Sequence, residues 1–134
     1  RNPMAICWSN YKANFFDNIG MDYAHKLETI GEFYLIYNET MKFWNEIYPN
    51  SLIEVDYDNF VMDYVSGSKS IIKHIGLNWE EKILKFNENN RVVETNSLLQ
   101  VRDQVYQNSS KNWRKYEKYL TPVMEILKNN NIKF

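Results

Sequence analysis

The chain has 134 residues, 44% of them apolar, enough for the core of one domain. Sixteen Lys+Arg against 17 Asp+Glu leave a net charge of -1, which provides no basic field for nucleic acid or an anionic membrane. A lone cysteine, Cys7, excludes an internal disulfide framework, and four scattered glycines exclude a Gly-rich phosphate loop of the G-x-x-x-x-G-K or G-x-G-x-x-G kind.

Taken in chain order, Asn2 and Pro3 read as the cap and first residue of a helix that runs without a breaker to about Phe16. Asn18 and Gly20 mark a loop. From Met21 to Tyr48, the residues Tyr23, Leu27, Ile30, Tyr34, Tyr37, Met41, Trp44 and Tyr48 recur at spacings of four and three, a sustained helical face. Phe33, Ile36, Phe43 and Ile47 widen that face, so the helix is expected to be enclosed on more than one side, with Trp44 and the tyrosines in the core. Pro49 and Asn50 end it.

Residues 52–57 alternate and are β-branched, and they read as the one strand of the chain. A lone strand cannot satisfy its own backbone, and no second segment offers a partner, which points to a larger sheet. Short helices are expected at 59–64 and 66–75, with Gly76 as a left-handed stop, and an amphipathic turn at 80–86. The stretch 87–100 dissolves into Asn, Glu, Thr and Ser and reads as a long loop. Helices at 109–120 and 122–130 close the chain, the second opened by Pro122.

Arginine is the scarcer cation, and Arg1 and Arg102 sit where an anion can be held. Arg1 precedes the cap of the first helix, whose amides and dipole favour negative charge, and Ser9 offers a hydroxyl two turns on. Arg102 is flanked by Ser97, Gln100 and Gln104. His25 and His74 lack metal-ligand spacing, and no metal site is readable. Trp113 reads as an anchor for the last helices, and Cys7 as an inert buried thiol.

Three ordered segments resemble a known family. Arg1-Asn2-Pro3 followed eight residues later by Ser9 resembles the 3′-phosphate-binding segment of sulfotransferases that use 3′-phosphoadenosine 5′-phosphosulfate (PAPS). Ala5 stands where the family often has Asp. Residues 53–60 resemble the family's V-x-Y-E-D-L element, and Tyr57 inherits a nucleotide-contacting role from its tyrosylprotein-sulfotransferase branch. Residues 95–106, then Ser109 or Ser110 and Trp113, resemble the T-x-S-x-x-Q-V-R-x-P-I-Y…S…W segment of bacterial sulfotransferases fused to tetratricopeptide repeats, with Gln104 in place of Pro. That segment wraps the nucleotide, which implies ligand roles for Ser97, Gln100, Arg102 and Tyr106.

The resemblance implies an α/β fold. The chain would be the C-terminal portion of a P-loop-like sulfotransferase domain, a single partial domain over 1–134, mostly helical with one parallel-sheet strand at about 52–57. It implies sulfuryl transfer from PAPS to an acceptor hydroxyl or amine, leaving 3′,5′-adenosine bisphosphate (PAP), without a metal. The phosphosulfate loop and the catalytic base lie upstream in this family, so the chain alone is expected to be inactive. Its expected partners are the nucleotide, an acceptor, and either the missing N-terminal half or a second copy to cover the strand. Neither nucleic acid nor membrane is expected. The absence of a signal pattern or of an apolar run of about 18 residues makes the reduced cytosol the expected compartment. A rival from another class is an inactive helical interaction or oligomerisation module derived from the family.

Overall fold

The computed structural model describes residues 1–13, 20–88 and 109–134, which fall into two compact units. The first is built from Arg1–Leu52 and Ser109–Phe134, the second from Ile53–Asn108.

The first unit opens with helix α1, Pro3–Lys12. Asn2 caps it as its residue type predicts, its Oδ1 accepting from the Ala5 amide at 3.2 Å. The helix ends where Ala13 turns extended, and the rest of the expected run to Phe16 lies outside the described residues. The long periodic stretch is not one helix. Asp22–His25 form a 3₁₀ turn, Lys26 is extended (φ -132°, ψ 144°), and α2 spans Leu27–Ile47. Thr29 Oγ1 fastens this junction by donating to the Tyr23 carbonyl at 2.7 Å.

Ser109–Tyr119 form a 3₁₀ helix and Thr121–Asn129 form α5, with Pro122 in its first turn. Helix α5 closes with a Schellman motif. Asn131 takes the left-handed conformation (φ 58°), its amide bonds to the Lys128 carbonyl, and the Ile132 amide reaches the Leu127 carbonyl at 2.9 Å.

These elements share one core of Met4, Ala5, Cys7, Ile30, Trp113, Leu120, Val123 and Leu127. Helix α2 approaches α5 closely at Gly31, where a Cβ would lie 3.1 Å from Ile126 Cδ1. Trp113 is 2% exposed and meets Phe134 edge-on, which bears out its expected role as an anchor.

The second half of α2 corrects the expectation of enclosure on more than one side. Ile36, Tyr37, Phe43, Trp44, Ile47 and Tyr48 are exposed, and so is Phe33. The reason is length. A 21-residue helix runs about 31 Å, while α1 and α5, of 10 and 9 residues, each cover roughly half of that.

In the second unit α3 spans Tyr57–Met62, α4 spans Tyr64–His74, and a kinked 3₁₀ segment spans Glu81–Glu88. Asp56 caps α3 through the Asn59 amide (2.9 Å), and Asp63 caps α4 through the Ser66 amide (3.1 Å). Gly76, at φ 74°, ends α4 in a second Schellman motif: its amide bonds to the Lys73 carbonyl and that of Leu77 to the Ile72 carbonyl. Ser66, expected to open a helix, lies inside α4.

Residues 52–56 carry no regular hydrogen-bonded structure, and no strand forms among the described residues. Tyr57, expected as the strand's last residue, is instead the first of α3. Among the described residues, no helix is long and apolar enough to cross a membrane.

Candidate anion-binding site

Arg1 sits at the head of α1, and its guanidinium reaches the start of the Ser109–Tyr119 helix. Nε donates to Ser110 Oγ at 3.2 Å and Nη2 donates to Ser109 Oγ at 3.3 Å. Ser110 is the one buried polar residue among those described, at 5% exposure, and it lies one turn before the buried Trp113. Ser109 is half-buried. The core therefore holds the serines in place, and the serines hold the arginine. A planar guanidinium with hydroxyls beside it suits a tetrahedral oxyanion, where a lysine would offer only a point charge.

The first turn of α1 contributes less than its position promises. Pro3 has no N–H, the Ala5 amide is taken by Asn2 Oδ1, and the Ile6 amide by the Asn2 carbonyl. Anion binding at this end therefore rests mainly on side chains. Ser9 is an exposed residue of α1, its carbonyl accepting from the Ala13 amide. It is on the same rigid element as Arg1's attachment point, about 9 Å along the axis from Pro3.

Comparison with known proteins gives this corner a context. The model of the sulfotransferase family matches residues 1–81, more than half of the chain. The chain belongs to the sulfotransferase family. It is also 35% identical over 128 residues to an uncharacterized protein of Aquifex aeolicus (strain VF5), a match that takes in 95% of this chain and 17% of that protein. The chain thus spans about one-sixth of the length of this curated relative. No solved structure matches it.

For a sulfotransferase-family chain, the remaining candidate residues fall as follows. Tyr57 belongs to the second unit, half-buried at the first position of α3. Ser97, Gln100, Arg102 and Tyr106 lie outside the described residues. His25 is exposed in the 3₁₀ turn and His74 is exposed in the last turn of α4, where a cation complements the helix dipole. Among the described residues, no group of three or more His, Cys, Asp or Glu could hold a metal ion.

In the sequence, Ser109 and Ser110 stand out only as parts of a matched segment. Their pairing with Arg1 spans more than a hundred residues and leaves no periodic signal. The sequence equally gave no sign of an apolar cavity of about 350 Å³ between α1 and α2, lined by Cys7, Ile30, Phe33 and Tyr34. Burial there pushes the Cys7 thiol up to about 12, because desolvation penalises the thiolate. The thiol is inert at neutral pH, as read from the sequence.

Proposed function

We propose that this chain supplies the 3′-phosphate grip of a PAPS-dependent sulfotransferase that transfers a sulfuryl group to an acceptor hydroxyl or amine. One observation supports this above the others: Arg1, at the head of α1, lies against the hydroxyls of Ser109 and Ser110. The residues present fit the nucleotide's 3′-phosphate, a dianion that takes guanidinium and hydroxyl donors. Each charge-assisted bond contributes about 1.5–3 kcal/mol, so two or three make a usable site. Arg1 and Ser9 hold the 3′-phosphate in this reading, Tyr57 lines the nucleotide, and Ser97, Gln100, Arg102 and Tyr106 wrap it. PAPS brings the sulfuryl group; these residues bind and orient it and include no catalytic base.

In the same reading, residues 52–56 enter the parallel sheet of an α/β, P-loop-like domain whose other strands come from outside this chain. Their extended cap residue Asp56 (ψ 114°) and the exposed Leu52, Ile53 and Val55 support that role.

Calorimetric titration with PAP, with 5′-AMP as the control lacking the 3′-phosphate, tests the proposal. The chain is expected to prefer PAP, and Arg1→Ala to remove that preference, a loss of about tenfold or more in PAP affinity. Equal binding of the two nucleotides, or none, overturns the reading. The rival interaction module then becomes the better account.

A further inference from the structure

We propose that Ser110 is a positioning residue for Arg1, and that Ser109 joins Arg1 as a direct ligand of the bound phosphate. This rests on the 3′-phosphate reading above and names residues that reading does not require.

The two serines differ in which nitrogen they meet and in how deep they lie. Ser110 is 5% exposed and accepts from Nε, the inner N–H, whose direction sets the plane of the guanidinium. It is buried one turn before the core residue Trp113, so its backbone is held by a packed element and its oxygen has little room to follow a moving arginine. A fixed acceptor on Nε removes rotamer freedom that a long, solvated arginine otherwise loses on binding. Ser109 is half-buried and accepts from Nη2 at the outer edge of the fork, in an exposed hydrogen bond. A serine hydroxyl that accepts from a cation still has its own proton to give, and the cation polarises it as a donor. The expected result is a grip in which Ser110 orients Arg1 and Ser109 donates with it to one phosphate. The two chain segments of the first unit then meet at the ligand.

The test is titration of the chain and its variants Ser110→Ala, Ser110→Thr, Ser109→Ala and Arg1→Ala with PAP and with 5′-AMP, alongside thermal melts. Ser110→Ala is expected to lower PAP affinity about five- to tenfold and leave AMP affinity unchanged, with Ser110→Thr, which keeps the hydroxyl, restoring it. Ser109→Ala is expected to cost PAP affinity by a similar factor. Ser110→Ala should not reduce PAP binding further once Arg1 is alanine, because Ser110 acts through Arg1. A structural role alone would lower the melting temperature and weaken both nucleotides together, and that result overturns the inference. Unchanged PAP affinity in both serine variants overturns it too, while the 3′-phosphate reading stands. If the unmodified chain shows no PAP preference, both fall.

Discussion

Cys7 shows how a residue without chemistry still has a pH signature. Its thiol is raised from an ordinary 9.0 to about 12 by burial in the core. The fold therefore favours the neutral thiol. This stabilisation is fully present below pH 9 and is lost as pH rises from there toward 12. Against Cys7→Ala, the unmodified chain should lose at most about 1.4 kcal/mol per pH unit over that window, read by urea melts at pH 8, 9.5 and 10.5. A constant difference between the two proteins would mean that Cys7 is not desolvated. Asp63 runs the other way: hydrogen bonds from the Ser66 amide and hydroxyl hold its carboxyl below the usual range. Its contribution to α4 is present above the ordinary Asp value and fades as pH falls through the lowered one. Asp63→Ala should therefore destabilise α4 at pH 7, and the difference should shrink in acid.

At the scale of elements, the contact of α2 with α5 is the tightest test of the fold. A Cβ on Gly31 would lie 3.1–3.3 Å from three atoms of the Ile126 side chain, one of them its Cβ, which is fixed to the α5 backbone. Gly31→Val must push the two helices apart and should cost about 1–3 kcal/mol, read by thermal or denaturant melts. A neutral result would mean that α5 does not pack there. Local signals in the sequence were legible for physical reasons: Asn2, Pro3, Gly76 and Pro122 act within one turn of their own position. The break at Lys26 was hidden because Tyr23 and Leu27 keep the helical spacing across it while the backbone turns extended. The expected enclosure of α2 does not hold, because periodicity reports an apolar face and not the length of its neighbours. Half-exposed Phe43 and Ile47 follow from that mismatch. Apolar rows of this kind associate in water. The double change Phe43→Ser and Ile47→Ser should lower concentration-dependent association in sedimentation without lowering the melting temperature. A drop in the melting temperature would show that the face is covered within one chain.

The candidate site was legible at whole-molecule scale only in part. Arg1 and Ser9 carry a local spacing, whereas the Arg1–Ser109–Ser110 cluster exists only once the chain closes on itself. That closure depends on an uneven division of the core. Eight buried residues from α1, α2, α5 and the Ser109–Tyr119 helix and its exit tie the first unit together, while in the second Val61 is the buried one among the described residues. Apolar burial is the main favourable term in folding, so the local free energy of opening should differ between the units. Amide exchange followed residue by residue should find the slowest protons in α1, the first half of α2 and α5, with α3 and α4 opening more easily. Leu127→Ala, at a fully buried position, should cost about 2–5 kcal/mol and speed exchange across the first unit. If the rates in α3 and α4 stay unchanged, the units open independently, and the anion site can be lost while the second unit persists. If those rates rise by the same factor, the whole chain opens as one cooperative body, and the division of the core does not govern its stability.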